Sequence, residues 1–282
     1  MAATLPIAYL NGEFIPVESA RISPLDRGFL FGDAVYEVIA VYGGRALLLD
    51  EHLQRLARSL TELRIAAPHT DAAWRGIIGE LIARNGGRDM GIYVQVSRGA
   101  DTGRDHGFPK DVAPTVFAMA SPLARADLSK ACVKAITGPD IRWARCDIKT
   151  TALLANVLLR QAAAEAGAGE LIMLRDGFVT EGSGSSVIIV EAGVLISRPN
   201  SHEILPGTTI RLAREVAAQG GFGYREEAIS ESRLRVADEV WLTAALRGVA
   251  PVTHIDGQPI GDGTPGPVWR VVAQGYELRK RT

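Results

Sequence analysis

Short β-prone runs alternate with helix-like segments along the chain, and this alternation is the strongest constraint on its fold. The run AVYEVIAVY at residues 34–42 is rich in β-branched and aromatic residues, which predicts a buried strand. Asp50 is the expected N-cap of a helix whose apolar stripe is Leu53, Leu56, Leu60 and Leu63. The sequence therefore predicts an α/β (α+β) fold.

Turn dipeptides and chain length divide this pattern further. Asn11-Gly12, Gly43-Gly44 and Asp176-Gly177 each separate two β-prone runs, which predicts three hairpins. With 282 residues the chain is long enough for two medium domains with real cores. We expect an N-terminal α/β domain at residues 1–120, a linker at 121–126, and a C-terminal α/β domain at 127–282.

Charge and hydropathy exclude several classes of function. The chain has 31 basic and 32 acidic residues, a net charge of -1, so neither nucleic acid nor a membrane surface is an expected partner. No apolar run approaches the roughly 20 residues that span a bilayer. Cys132 and Cys146, the only cysteines, favour a cytoplasmic setting, and their spacing predicts no metal site.

Lys149 has an unusual sequence context. The chain has five lysines, and the other four lie in polar, loop-like or terminal segments. Lys149 follows the run IRWARCDI and precedes a helix-like segment, TTALLANVLLRQAAAEA. A lysine at such a junction can lose water and lower its pKa, as an amine that forms a Schiff base requires. The alternative interpretation is that Lys149 simply ends a strand beside Asp147.

Three further features suggest a phosphorylated ring as the ligand. The residues PGTT open a predicted helix from near Thr208 to Gly220 or Gly221, where free N–H groups and two hydroxyls form a phosphate site. Glu181 lies in a corner of glycines and serines, and Arg55 could reach a phosphate. Each alone is a weak signal, since Glu181 could be a loop carboxylate and Arg55 a solvated arginine. Together with Lys149 they form the set that pyridoxal 5'-phosphate (PLP) requires.

The sequence resembles the class IV, fold-type IV aminotransferases, and within them the D-amino-acid (D-alanine) aminotransferases. The resemblance covers nearly the whole chain, through the stretches DRGFLFGDAVYEV, EHLQRL, RDHGFP, IRWARCDIKTTALL, VTEGSGSSV and ILPGTT. It implies a two-domain PLP enzyme, a homodimer with shared active sites, that moves an amino group from a D-amino acid to a 2-oxo acid.

The resemblance also assigns residues. Lys149 would be the Schiff-base lysine and proton carrier, and Glu181 would pair with the pyridine nitrogen. The remaining cofactor contacts would come from Arg55, Ser185, Leu205, Thr208 and Thr209. The substrate carboxylate would be bound by Tyr36, Arg104 and His106.

Three departures from the family pattern bear on the substrate. Gly184 stands where a serine is common, and Ala245 stands where relatives have a phosphate-binding threonine. The loop before Arg104 carries one extra residue. TAALRGVAPV, around Ala245, is closer to the aminodeoxychorismate lyases, so that lyase activity and branched-chain L-amino-acid transamination stay open as alternatives. A silent ligand-binding scaffold is the non-enzymatic alternative.

Overall fold

The computed structural model describes residues 4–124, 127–128 and 131–280. The chain divides into two compact units, Met1–Arg125 with Ile148–Ala152, and Ala126–Asp147 with Leu153–Thr282. The expected linker at 121–126 falls partly outside the described residues, and the domain boundaries given above stay a prediction. No helix among the described residues is long and apolar enough to cross a membrane.

The first unit is built on an antiparallel sheet that has six strands among the described residues. Its strands are β1 (Ile7–Leu10), β2 (Glu13–Pro16), β3 (Ala34–Tyr42), β4 (Arg45–Ala46), β5 (Met90–Ser97) and β6 (Thr115–Pro122). Their spatial order is β2-β1-β6-β5-β3-β4. Positive φ angles at Asn11-Gly12 and Gly43-Gly44 confirm two of the predicted hairpin turns.

Helices cover this sheet. They are α1 (Arg27–Phe31), α2 (Leu49–Glu62) and α3 (Asp71–Arg84), with a short 3-10 turn at Val17–Ser19. Leu53, Leu56 and Leu60 of the predicted stripe are buried in the core with β3, as their spacing predicts, and Leu63, the C-cap residue, is partly buried. The expected N-cap is wrong by two positions, because α2 begins after Leu48, which adopts a left-handed conformation (φ 55°), and Asp50 lies inside the first turn.

The segment with Lys149 belongs to the first unit, whereas the sequence interpretation placed it in the second domain. The Tyr36 amide donates to the Lys149 carbonyl at 3.0 Å, and Val35 forms a bridge with Thr150. Ile148 is buried in the same core as Leu56. These contacts are made between residues far apart in the chain, so local sequence patterns do not reveal them.

The second unit contains a mixed sheet with nine strands among the described residues. They are β7 (Val133–Pro139), β8 (Glu170–Arg175), β9 (Phe178–Gly182), β10 (Ser186–Glu191), β11 (Val194–Ser197), β12 (Gly223–Glu226), β13 (Glu239–Ala244), β14 (Gly248–Ile255) and β15 (Gln258–Pro259). The order is β12-β11-β10-β13-β14-β7-β8-β9, and β15 pairs with β14. The predicted Asp176-Gly177 turn joins β8 and β9.

The helices of this unit are α4 (Leu154–Glu165), α5 (Thr208–Gln219), α6 (Glu231–Val236) and α7 (Pro267–Arg279). The bounds of α5 confirm the helix predicted from the PGTT stretch. Parallel pairing joins β7 to β8, β14 to β7, and β11 to β12. The main core of this unit contains Ile172, Ile189 and Leu242, all of which are fully buried.

Candidate active site

The amine of Lys149 lies over an aromatic ring rather than beside a carboxylate. Its Nζ atom is 4.1 Å from the centre of the Tyr36 ring. Among the described residues, Nζ makes no ion pair or hydrogen bond, whereas the Lys149 amide donates to Ser59 Oγ at 3.4 Å. The backbone is thus fixed through Tyr36 and Ser59, and the amine is left for a ligand.

A buried ion pair holds Arg55 in the same unit. Glu37, 1% exposed, follows Tyr36 on β3, and its carboxylate accepts from Arg55 Nε at 2.7 Å and Nη2 at 2.9 Å. His52 Nδ1 lies 2.7 Å from the same carboxylate. Burial alone would raise the pKa of Glu37, but Arg55 and His52 outweigh it and lower this pKa to about 2. Glu37 is therefore charged at neutral pH and orients the Arg55 guanidinium.

The two predicted carboxylate-binding side chains lie together on an exposed loop. His106 is 5.1 Å from Phe31, measured between ring centres, and Arg104 Cζ lies 5.0 Å from the centre of the Phe31 ring. Tyr36, the third member of the predicted set, stacks on Tyr93 at 5.6 Å between ring centres. Arg104 and His106 therefore lie together against Phe31, whereas Tyr36 lies beside Lys149.

In the second unit, Glu181 is part of a buried network. Its side chain is 9% exposed and accepts from Arg142 Nη1 and from the Leu205 amide, the latter at 3.2 Å. Arg142 also binds Asp140 through Nε at 2.9 Å and Nη2 at 2.8 Å. Burial alone would raise the pKa of Asp140, but Arg142 and Thr180 lower it to about 2. The positive charge of Arg142 favours an ionised Glu181 carboxylate.

The predicted phosphate cup lies at the start of α5. Gly207 is the N-cap residue and adds no side-chain cap, so the first N–H groups of the helix can serve an anion. Thr208 and Thr209 are buried at 9% and 4% exposure. A Cβ atom at Gly207 would lie 2.6 Å from Ser186 Oγ, so a side chain there would require the Ser186 hydroxyl to move.

Ser185 is held by a buried carboxylate, and its contact with the cofactor stays a prediction. Its hydroxyl donates to Glu170 Oε2 at 2.9 Å, and Ser183 donates to the other oxygen of Glu170. Arg247 adds an ion pair to Glu170 at 3.1 Å. Glu170 is 2% exposed, so these partners satisfy a buried charge and hold the corner between β9 and β10.

Gly184 and Ala245, the two residues that depart from the family pattern, both lie in the second unit. Gly184 is exposed, and a Cβ atom there would meet nothing within 4 Å, so a serine would fit. Ala245 follows β13 in a turn. Thr243, two residues earlier, is buried, and its hydroxyl has no hydrogen-bond partner within the described part of the chain. The loss of a phosphate contact at Ala245 stays a prediction.

Sequence reasoning missed Glu37, Asp140 and Arg142 as members of the site. Glu37 carried a usable signal, because a lone carboxylate inside an apolar strand must find a buried partner. Asp140 and Arg142 carried none, since an acidic and a basic residue two positions apart are common on any surface.

Each unit contains groups whose chemistry suits a part of PLP. Lys149 offers an amine without an ion pair, Glu181 offers a buried carboxylate beside an arginine, and α5 offers an uncapped helix start. The first could bind an aldehyde, the second a pyridinium nitrogen and the third a phosphate. The donor set therefore fits the cofactor.

Comparison with known proteins agrees with this chemistry. The family described as amino-transferase class IV matches residues 34–255. The chain is 40% identical to a D-alanine aminotransferase of Bacillus licheniformis over 263 residues, which are 93% of each chain. It is 37% identical to a D-alanine aminotransferase of Staphylococcus haemolyticus over 271 residues, which are 95% of each chain.

Solved structures show the same fold. The branched-chain amino acid aminotransferase of Escherichia coli superposes with a TM-score of 0.90 at 26% identity, covering 96% of this chain and 93% of the other. A second branched-chain amino acid aminotransferase, solved with pyridoxamine 5'-phosphate, gives a TM-score of 0.92 at 27% identity, covering 100% and 96%. The predicted fold class is thereby confirmed.

The Glu37 pair predicts a pH-dependent stability. Because the pKa of Glu37 is lowered from 4.5 to about 2, its ionisation stabilises the fold above pH 4.5, and this contribution is lost as the pH falls toward 2. The contribution at neutral pH is on the order of 3 kcal/mol. Glu37→Gln should be less stable than the wild type at pH 7, and this difference should shrink by pH 3, as measured by chemical denaturation.

The matched control is Glu80→Gln, which removes a carboxylate that forms an exposed pair with Arg84 on α3. Exposed pairs of this kind contribute about 1 kcal/mol or less, so the control should follow the wild-type profile. If Glu37→Gln followed it too, the buried pair would not be the source of the acid sensitivity.

Proposed function

Because this chain belongs to the class IV aminotransferases, which depend on PLP, we propose that it transfers the amino group of a D-amino acid, such as D-alanine or D-glutamate, to a 2-oxo acid. The observation that carries the D-amino-acid assignment is the similarity to D-alanine aminotransferases over 93% to 95% of the chain. The exposed Arg104 and His106 pair supports it, since these side chains suit a substrate carboxylate.

Bound PLP supplies an aldehyde carbon and an electron-poor ring that accepts the electrons left when the substrate Cα loses its proton. Lys149 Nζ would hold the cofactor between turnovers and then carry the proton from Cα. Tyr36 limits the positions of Nζ by lying under it at 4.1 Å. Glu181, held by Arg142 and the Leu205 amide, would keep the ring nitrogen protonated.

The phosphate would be held by Arg55, whose orientation Glu37 fixes, and by Thr208 and Thr209 at the start of α5. Leu205 would pack on the ring face, while its amide serves Glu181. Ser185 would contribute indirectly, since its hydroxyl is held by Glu170.

Branched-chain L-amino-acid transamination is the second candidate, because the solved structures named above are branched-chain enzymes. Their lower identity to this chain, 26% to 27% against 37% to 40%, favours the D-amino-acid proposal. Lyase activity is supported only by the sequence similarity of the segment around Ala245 to the aminodeoxychorismate lyases. Family membership opposes a silent scaffold, and the roles predicted for Lys149 and Glu181 agree with it.

We expect the chain to act as a homodimer in the cytoplasm. An apolar face of α4 supports dimerisation, because Leu154, Val157 and Leu158 are 73%, 59% and 55% exposed and lie on one side of the helix. Both cysteines are free thiols, as is usual in a reducing compartment.

The role of Lys149 can be tested directly. Lys149→Ala should abolish the visible absorbance of the bound cofactor and lower turnover by about a thousandfold or more, because both the covalent anchor and the proton carrier are lost. Borohydride treatment of the wild-type holoenzyme should label the peptide that contains Lys149. Lys134→Ala, an exposed lysine on β7, is the control and should behave as the wild type. A label on Lys134 would refute the assignment.

A substrate panel tests the hand of the reaction. The wild type should transaminate D-alanine and D-glutamate and react poorly with L-leucine. Arg104→Ala should lower kcat/KM for D-alanine by about 30- to several-thousand-fold, because a desolvated carboxylate loses its bidentate partner. The cofactor absorbance should stay intact. Efficient use of L-leucine with no reaction of D-alanine would exclude the D-amino-acid proposal.

Mixing two inactive variants tests whether active sites are shared. If the Arg104 loop serves the other subunit, a hybrid of Lys149→Ala and Arg104→Ala chains has one complete site. Half of the dimers in an equal, fully exchanged mixture are hybrids, so about a quarter of the wild-type activity should return. A mixture as inactive as its components, with exchange verified by mass spectrometry, would place Arg104 in its own subunit's site.

A further inference from the structure

Arg27 is a buried arginine that binds the backbone of the loop carrying Arg104 and His106. It begins α1 and is only 3% exposed. Its Nη1 atom donates to the Asp105 carbonyl at 2.6 Å, and Nη2 donates to the His106 carbonyl at 3.2 Å. One guanidinium group therefore holds two consecutive peptide units of an otherwise exposed loop.

Arg27 is itself fixed by a shared carboxylate. Its Nε atom donates to Asp33 Oδ2 at 2.8 Å. Arg98 binds the same carboxylate through Nε at 2.7 Å and Nη2 at 2.9 Å. Burial alone would raise the pKa of Asp33, but hydrogen bonds from Arg98 and Arg27 lower it. The carboxylate is thus charged and holds the Arg27 guanidinium in one orientation.

Helix α1, which carries Arg27, is held firmly against β5. Asp26 caps α1 by accepting from the Gly28 amide at 2.8 Å, and it also accepts from Ser97 Oγ on β5 at 2.8 Å. The Arg27 amide donates to the Gly99 carbonyl at 2.9 Å. A Cβ atom at Gly28 would lie 2.9 Å from Ser97 Cβ, so α1 lies as close to β5 as a glycine allows.

The loop side chains are arranged around this base. Phe31, at the end of α1, contacts Arg104 and His106 on the loop, and the Arg27 guanidinium lies 4.9 Å from the centre of the same ring. Phe108 lies over Arg98 at 3.7 Å from Cζ to the ring centre. Within the described residues, no hydrogen bond is found from the side chain of Arg104 or His106 to the protein. Their polar atoms are left for a ligand, and their position depends on the loop backbone.

We propose that Arg27 is a positioning residue for recognition of the substrate carboxylate, because it fixes the Asp105 and His106 peptide units and thereby aims Arg104 and His106. This inference rests on the proposed function, in which those two side chains bind the carboxylate. Arg27 does not touch the substrate. Its effect is exerted through the loop, so it should alter substrate affinity more than the rate of the chemical step.

The test compares Arg27→Met and Arg27→Lys with the matched control Arg21→Met. Arg21 also donates to two backbone carbonyls, those of Glu18 and Ala20, but it is exposed and lies outside the loop. Methionine keeps the length of the side chain and removes every donor, whereas lysine retains one donor group. All variants are purified as holoenzymes, and their melting temperatures and cofactor absorbance are recorded first.

Loss of two charge-assisted hydrogen bonds should raise the KM for D-alanine about 10- to 100-fold in Arg27→Met, with kcat changed less than about threefold. Arg27→Lys should lie between this variant and the wild type. Amide hydrogen exchange of the peptide covering residues 103–108 should accelerate in the same order. Arg21→Met should match the wild type in all three measurements.

A double-mutant cycle separates positioning from a general structural role. In a background carrying both Arg104→Ala and His106→Ala, Arg27→Met should lower kcat/KM by less than about twofold further, because the groups that it positions are already absent. A full additive loss in that background, or unchanged exchange of residues 103–108, would overturn the proposal. If Arg27→Met does not fold, Arg27→Lys decides by the same criteria.

Failure of the proposed function gives a different result. A wild type that uses L-leucine and ignores D-alanine would refute the D-amino-acid assignment before any variant is compared. The exchange measurement then still decides whether Arg27 anchors the loop. Faster exchange with an unchanged KM for the accepted amino acid would mean that the loop is anchored but does not bind the carboxylate, and would overturn the positioning role.

Discussion

Carboxylates paired with arginines at buried or half-buried positions orient the candidate functional residues of each unit. Glu37 binds Arg55, Asp33 binds Arg27 and Arg98, and Glu181 and Asp140 share Arg142. An isolated carboxylate would be costly at such burial, and it becomes tolerable only when a partner supplies charge and several hydrogen bonds. Each pair therefore constrains its functional residue to one orientation. Arginine suits this task better than lysine, because a guanidinium group is planar, stays charged and can serve two acceptors at once. Lys149 is the contrasting case, because the role proposed for it needs an amine that no carboxylate holds.

Local sequence patterns predicted the parts of the fold that are determined locally. The dipeptides at 11–12, 43–44 and 176–177 form turns because their residues accept positive φ angles, and the apolar stripe of α2 is buried because its spacing matches one helix face. The predicted start of α2 at Asp50 was wrong, because Leu48 is the N-cap and adopts a left-handed conformation that no residue preference predicts. The grouping of Lys149 with the first unit depends on Val35 and Tyr36, more than 110 residues away in the sequence.

The contrast between local patterns and contacts from distant parts of the chain also explains which candidate site residues could be identified from the sequence. Lys149 and Glu181 stand out because each is a reactive group in an unusual local context. Arg142 and Arg27 do not, because their partners come from other elements of the fold. Ser185 was identified as a residue of the corner, but its hydroxyl is committed to Glu170, which only the packing of β8 against the corner reveals.

Aminotransferases with different substrates share the fold of this chain, so the residues that position the substrate-binding side chains matter for the choice of substrate. D-alanine and branched-chain aminotransferases both align with nearly the whole chain, and the branched-chain structures superpose with TM-scores of 0.90 and 0.92. A fold shared at this level carries PLP chemistry but cannot decide which amino acid is accepted. That decision must lie in the few side chains that bind the carboxylate and in the groups that hold them. The loop of Arg104 and His106 is exposed and makes few contacts of its own, so its geometry is determined by Arg27, Asp33 and Phe31 beneath it. On the positioning proposal, selection for one hand of substrate would act on Arg27 and its partners as strongly as on Arg104 and His106.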